Sequence, residues 1–391
     1  MNEILSTIEF QMTLLLFVAL AGYLISSSIN QSAVVGIILA GIAVGPSWLG
    51  LVTYTDFVSS LAHLGAVVLL FTVGLHFKIK DIANIKNLSI AFFGIIIPWI
   101  SGYYLAKFSG FDFGGSIFIG TALTATSIAI TANVLKEMDK LHTEAAKAII
   151  GAAIIDDVLS LLALSISGEI VSGDISVSFT LITIIKAAGF LVAGNLVGKI
   201  IAGNIIVRLD KTRTVHKYPE FIFIFAMMIA FFYGMIAELI GLSAIVGSFL
   251  AGVSLEGIKL DHGLSFKEGA EYLQIIFASL FFVSLGVLVD LHQVTWSLLW
   301  FLLVLTIVAI ITKVIGCGIP AKLHGMNFND SLIVGFGMAP RGEVAMIVAL
   351  IGLNQNLIEQ ETYIVLVLMS LLTTIITPII FRNWLYRETM G

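Results

Sequence analysis

Asp156 and Asp157 sit side by side in an apolar run, Ile149 to Ile166, that is nearly long enough to cross a bilayer by itself. A carboxylate at the centre of a membrane helix costs about 2.5–3.5 kcal/mol on insertion scales, so acids kept there mark ion pathways and proton relays. The doublet therefore implies a membrane transport protein rather than a soluble domain. Composition agrees: 59% of the residues are hydrophobic, 12% are charged, and the mean hydropathy is +1.06, above what a soluble chain carries. The net charge of −5 is small, is spread over loops on two sides of a membrane, and does not suggest a nucleic-acid partner. The single cysteine, Cys317, lies in an apolar stretch, which excludes a disulfide framework and a C-x-x-C metal site. Glu3 and Glu9 stand where a cleaved leader would carry basic residues, so the first span is expected to stay in the protein.

Windows of about 20 residues predict thirteen spans, at 10–28, 33–52, 59–77, 88–107, 115–135, 146–167, 178–201, 220–240, 242–258, 272–290, 297–319, 331–353 and 361–381. Only Gly241 separates the eighth from the ninth. With the N-terminus outside, fifteen of the twenty lysines and arginines fall on the inner side, four fall within spans, and only Lys107 lies outside. That bias is the positive-inside pattern, and merging the eighth and ninth spans would scatter it. The expected protein is thus multi-pass in the cell membrane, surrounded by lipid bilayer, with its C-terminus cytoplasmic.

The chain repeats itself. Ser32 to Gly41, SAVVGIILAG, recurs as SAIVGSFLAG at Ser243 to Gly252, with seven of ten positions identical. A weaker echo links Leu69–Gly74 to Leu280–Gly286. The strong copies fall in spans two and nine, an odd offset, so the two halves must lie in the membrane in opposite senses. Spans 1–6 match spans 8–13, and span 7 joins them. Inverted repeats of this kind build secondary transporters, whose ion sites sit near the midplane at discontinuous helices. Small-residue packing could produce similar strings without any repeat; the agreement of order and topology argues against that.

The repeat also predicts where helices break. Span five carries Gly120-Thr121-Ala122-Leu123-Thr124-Ala125-Thr126-Ser127, and span twelve carries Gly335-Phe336-Gly337-Met338-Ala339-Pro340-Arg341-Gly342-Glu343. Pro340 removes a backbone donor and the glycines weaken the helix. Irregular backbone at that depth is tolerated only beside protein or a water-filled cavity. The hydroxyls of Thr124, Thr126 and Ser127 suit an unwound backbone and offer oxygen ligands, although plain back-bonding to the preceding turn would also account for them.

Helical neighbours are rotated by roughly 100 degrees, so Asp156 and Asp157 cannot face one point. One is expected to face a cavity and bind a cation, the other a neighbouring helix, where Lys313 on span eleven is the available partner. A permanent salt bridge that only fixes helix packing is the alternative for that pair. Burial disfavours a charged carboxylate, so a proton and a metal ion can compete for it near neutral pH.

At TALTATSIAITANVL (121–135), GAAIIDDVLSLL (151–162), Lys313 in ITKVIGCG and GFGMAPRGEVAMIV (335–348), the chain resembles the second monovalent cation:proton antiporter family and its NapA-type Na⁺/H⁺ branch. The resemblance runs over essentially the whole length. It implies that Asp157 is the shared Na⁺ and proton site, that Asp156 pairs with Lys313, that Thr126 and Ser127 add to the ion site, and that Thr124, Pro340, Arg341 and Glu343 support two broken crossing helices. It implies a homodimer with no cofactor beyond the transported Na⁺ or Li⁺ and H⁺. The dimer domain would comprise residues 1–77 and 218–291, the ion-binding core 78–167 and 292–391, and the linker helix 168–217. The expected fold class is therefore an all-α polytopic membrane protein of 13 transmembrane helices in two inverted six-helix repeats, and the expected activity is electrogenic Na⁺/H⁺ exchange by alternating access, serving pH homeostasis.

A K⁺/H⁺ antiporter of the potassium-efflux type is the rival. Relatives of that type carry one aspartate after a glutamine and a C-terminal nucleotide-binding domain; here the doublet is present and the sequence runs only about ten residues past its last span. A cation channel would need a continuous pore instead of a midplane site. No nucleophile motif or phosphate-binding loop suggests an enzyme. His63, the one histidine well inside a span, reads as a packing contact, and Glu238 as a group solvated at the membrane interface.

Overall fold

The computed structural model describes residues 7–82, 84–172, 177–258, 260, 266–293 and 296–387. Its main helices, in chain order, are α1 (Ile8–Ser28), α2 (Ala33–Val44), α3 (Asp56–Gly74), α4 (Ile85–Phe108), α5 (Phe113–Ala122), α6 (Ile128–Glu137), α7 (Glu144–Ser172), α8 (Val177–Val197), α9 (Phe221–Leu239), α10 (Ala244–Leu255), α11 (Phe266–Val287), α12 (Trp296–Leu323), α13 (Phe328–Gly337), α14 (Glu343–Asn354) and α15 (Gln360–Ile380). Among the described residues there is no strand. Nine helical stretches there are long and apolar enough to cross a membrane, and α2, α5, α10 and most of α14 are shorter apolar helices.

Local chemistry sets the ends of these helices. Asp112 and Asn327 accept the backbone N–H three residues on, at 2.8 and 2.7 Å, and so start α5 and α13. Gly241, at φ 92, makes the left-handed turn that parts α9 from α10, so the eighth and ninth predicted spans are separate helices. The seventh predicted span extends further than its hydropathy alone indicated. After α8 the helix passes through a π turn, Gly198–Ala202, and continues over Gly203–Asp210. The fifth and twelfth predicted spans are each two helices, interrupted over residues 123–127 and 338–342.

The chain divides into two compact units. The first comprises residues 1–59, 84–176 and 282–391. Within it α4 lies along α12, and Gly94 and Gly316 let the two helices meet closely: a Cβ on Gly316 would fall 2.6 Å from the Phe93 carbonyl oxygen. Gly41 of α2 meets Gly286 of α11 in the same way, with 3.1 Å between a Cβ placed on Gly41 and the Cα of Gly286.

The second unit comprises residues 60–83 and 177–281. Its core joins Phe71 of α3, Ile206, Val215, Ile222, Ala226 and Ala230, and Leu250 of α10. The Tyr233 hydroxyl donates to the Gly194 carbonyl at 2.7 Å, which fixes α8 to α9. His63 and Glu238, both about half exposed, lie 3.5 Å apart, so the packing contact expected of His63 is with Glu238. Here too α3 and α10 touch glycine to glycine: a Cβ on Gly252 would lie 2.9 Å from the Cα of Gly74.

Gly252 and Gly189 give opposite expectations for one and the same substitution. Gly252→Ala forces backbone against backbone, which costs about 1–3 kcal/mol as overpacking does elsewhere, and lowers the melting temperature of the purified protein. Gly189 has open space around it, so Gly189→Ala leaves the melt unchanged or raises it by the helix preference of alanine, about 0.5–1 kcal/mol. Equal melts for the two variants would contradict the packing described.

Candidate ion-binding site

All the site residues named from sequence fall in the first unit, and its two interrupted helices meet there. The Ser127 amide donates to the Pro340 carbonyl at 2.8 Å, so each interruption satisfies a backbone group of the other. Thr131 donates to the Gly337 carbonyl at 2.6 Å, and Thr126 to that of Met338 at 3.4 Å. Gly342 has no room for a side chain, since a Cβ there would fall 2.7 Å from the Ser127 hydroxyl oxygen. The Thr124 hydroxyl returns to the Thr121 carbonyl at 2.7 Å, the local back-bonding pattern.

Arg341 lies in the second interruption and is buried, with 1% of its surface exposed. Its Nη1 donates to the Ala125 carbonyl at 3.0 Å and its Nη2 to the Ala309 carbonyl at 3.1 Å. One guanidinium thus bridges the first interruption and α12. Helix α15 supplies the hydroxyls for this backbone: the Arg341 amide donates to Thr373 Oγ1 at 3.1 Å, Thr374 donates to the Arg341 carbonyl at 2.9 Å, and Thr377 to that of Phe336 at 3.2 Å. The side chain of Glu343 lies outside the described residues.

The aspartate doublet divides as helix geometry requires. Lys313 Nζ donates to Asp156 Oδ1 at 2.9 Å, and neither side chain reaches solvent. Gly94 makes space for the pair: a Cβ there would fall 2.6 Å from the Cys317 sulfur, 3.7 Å from Lys313 Nζ and 3.9 Å from Asp156 Oδ1. Asp157, Ser127 and Thr126 retain 8–9% exposure, where Asp156 and Lys313 retain none. Ser160, one turn beyond Asp156 and three residues beyond Asp157, is buried with a hydroxyl that makes no hydrogen bond among the described residues.

Chemically the arrangement holds two carboxylates, two cations and several hydroxyl and carbonyl oxygens in a nearly dry space. A hard monovalent cation takes such oxygen ligands. Gly94, Ser160 and the threonines of α15 are components that the sequence reading passed over, and Cys317 was read there only for what it excludes. A usable signal existed only for the threonines, whose spacing in TTIITP puts hydroxyls on one helix face.

Comparison with known proteins agrees with this geometry. The family described as "Sodium/hydrogen exchanger, transmembrane" matches residues 14–386. The Na(+)/H(+)-K(+) antiporter GerN of Bacillus cereus is 32% identical over 372 residues, covering 94% of each chain. A Na(+)/H(+) antiporter of Enterococcus hirae is 33% identical over 376 residues, covering 94% of this chain and 96% of its own. Among solved structures, the sodium proton antiporter MjNhaP1 of Methanocaldococcus jannaschii superposes with a TM-score of 0.77 over 98% of this chain and 99% of its own, at 16% identity, a likeness that speaks to the fold. A transmembrane chain matched over nearly its whole length, with an aspartate doublet beside two interrupted helices, belongs to the sodium/hydrogen exchanger family of secondary transporters.

Proposed function

We propose that this protein exchanges Na⁺ or Li⁺ for H⁺ across the cell membrane by alternating access, with Asp157 as the site that cation and proton share. The observation that carries this reading is the division of the doublet. Lys313 engages Asp156 at 2.9 Å with no exposure of either group, while Asp157 keeps a slight exposure together with Thr126 and Ser127. A cation at Asp157 would gain the hydroxyls of Thr126 and Ser127, and Ser160 offers one more oxygen from the same helix. A proton on Asp157 abolishes its charge, so the two ligands exclude one another. Arg341 holds the crossing of the interrupted helices by its carbonyl bonds, with Thr124, Pro340 and Glu343 in support.

Alternating access needs one body to move against another. In our reading, residues 1–77 and 218–291 form the dimer domain of a homodimer, residues 78–167 and 292–391 the moving core, and residues 168–217 the linker helix. Spans 1–6 and 8–13 are inverted copies among thirteen, with the N-terminus outside. Two glycine contacts support the repeat: Gly41 against Gly286 and Gly252 against Gly74 are equivalent pairs of the duplicated motifs, and a Cβ meets the partner Cα at 3.1 and 2.9 Å respectively. Exchange of two protons per cation would make transport electrogenic, with Lys313 as the second titrating group. The relative named as a Na(+)/H(+)-K(+) antiporter makes K⁺ the competing cation.

Reconstitution into proteoliposomes with an imposed pH gradient, adding Na⁺, Li⁺ and K⁺ in turn and reading lumenal pH, tests the proposal. Na⁺ is expected to move protons, with an apparent KM that rises as the pH falls. Response to K⁺ alone would make the protein a potassium exchanger, and sustained Na⁺ current without a counterflow of protons would make it a channel. In the same assay Asp157→Asn keeps the shape but cannot ionise, so exchange falls to the level of empty vesicles while the protein remains folded. Exchange near the wild-type rate would reject Asp157 as the site.

Lys313→Gln separates the two roles open to the lysine. As a proton carrier, its loss leaves exchange running but removes the dependence on membrane potential. As a purely structural partner, its loss leaves transport electrogenic and lowers the melting temperature, because an uncompensated buried carboxylate costs about 3–5 kcal/mol. A thermal melt and a potential-clamped transport assay on this one variant, with Lys313→Gln/Asp156→Asn to relieve the stranded charge, distinguish them; the carrier role is expected.

A further inference from the structure

The N-terminus of α2 is capped by a residue from another helix. Ser32 occupies the cap position, yet its hydroxyl makes no bond to its own helix and donates instead to Glu137 Oε2 at 2.8 Å. The Ala33 amide donates to Glu137 Oε1 at 3.0 Å. In the second copy of the same motif, Ser243 accepts from the Ile245 amide at 3.1 Å and so caps α10 itself. Identical residues are thus used locally in one copy and lent to a distant carboxylate in the other. Charge favours the loan, because a carboxylate at a helix N-terminus meets the positive end of the helix dipole.

Glu137 is the last residue of α6, and Arg382, just past α15, closes around the same point. Arg382 Nη1 reaches Glu137 Oε1 at 3.3 Å and the Gln31 carbonyl at 2.9 Å, and its Nη2 reaches Asn30 Oδ1 at 2.7 Å. Next to it Gln31 Nε2 donates to Asn383 Oδ1 at 3.1 Å. The loop between α1 and α2 owes its shape to Asn30, whose φ of 53 lies in the left-handed region that asparagine tolerates. Glu137 and Arg382 expose only 25% and 19% of their side chains, so solvent screens them less than a surface pair.

This inference rests on the domain reading proposed above, in which α1 and α2 belong to the dimer domain and α6 and α15 to the moving core. On that reading the bonds from Glu137, Arg382 and Asn383 to Asn30, Gln31, Ser32 and Ala33 cross the seam that must slide during transport, at its cytoplasmic end, while the Glu137–Arg382 contact ties two helices of the core to each other. At the opposite end a cleft of about 90 Å³ is lined by Asp290, Gln360 and Tyr363. We infer that Glu137 and Arg382 form a latch on the α1–α2 turn that holds the cytoplasmic end of the ion passage shut and has to break once in every transport cycle. Opening it takes the carboxylate from the first turn of α2, so that Ser32 has to cap its own helix as Ser243 does in the second copy. Closed and open are therefore discrete states, not a continuum.

Cross-linking tests the latch. Gln31→Cys/Asn383→Cys places two thiols across it, and the native Cys317 is buried and silent. A short bis-methanethiosulfonate reagent should join the pair in the intact protein in proteoliposomes. Cation-driven proton movement is then expected to fall by about tenfold or more relative to the reduced variant, in line with the coupling such elements carry, and to recover on reduction. Cross-linked protein that exchanges at the reduced rate would overturn the latch, as would a folded variant that fails to cross-link. A readout independent of transport comes from adding Glu137→Gln to the cysteine pair in detergent: losing the charged cap should slow cross-linking roughly fivefold, and an unchanged rate would overturn the role given to Glu137. Normal cross-linking, slowed by Glu137→Gln, in a reduced protein that exchanges no cation would leave the latch in place and refute antiport instead.

Discussion

A helix that stops inside an apolar interior leaves N–H and C=O groups that water cannot reach, and each such group is expensive unless another part of the protein satisfies it. This chain stops two helices at the same place and lets them satisfy one another. The Ser127 amide takes the Pro340 carbonyl, Thr131 takes that of Gly337, and Arg341 spends both ends of its guanidinium on the carbonyls of Ala125 and Ala309. The absence of a Cβ at Gly342 is what lets the Ser127 side chain come so near. These bonds fix the backbone of the crossing, so the carboxylates and hydroxyls around it are held in place by the same contacts that satisfy the interrupted helices.

Charge is arranged around that crossing with little waste. Arg341 and Lys313 are both buried, and so are Asp156 and, nearly so, Asp157. A buried ion pair such as Lys313 with Asp156 gives little net stability compared with apolar residues of similar volume. The site must also hold Gly94 small for the pair to fit, which costs the α4–α12 contact a side chain that could otherwise pack. A chain that accepts both costs has a use for the charges beyond folding, and a transport family supplies one.

The sequence showed the parts of this arrangement whose signal is local. A carboxylate doublet in an apolar run and two glycine-rich or hydroxyl-rich interruptions at matching places stand out from any window of the chain, and so does Lys313. What the sequence hid depends on which distant groups meet. Nothing in the text of α4 tells that Gly94 lies against Lys313, or that the hydroxyl of Thr124 turns back to its own helix while that of Thr126 does not. Glu137 and Arg382 read as ordinary charges at span ends, since their partners lie about a hundred and more residues away in sequence. The continuation of α8 to Asp210 escaped hydropathy because its final turns carry Asn204, Arg208 and Asp210 on a helix that still holds its shape.

Helix α15 looks at first like scaffold. Yet Thr373, Thr374 and Thr377 hold the backbone of the second interruption, and the same helix ends in the π turn that carries Arg382. From Thr374 to Arg382 is eight residues, about 12 Å at the rise of a helix. Pro378 and the π turn at Phe381–Leu385 lie within that length, the places where a helix bends most readily. One helix thus touches both the crossing and the α1–α2 turn, with a hinge rather than a rigid shaft between the two contacts.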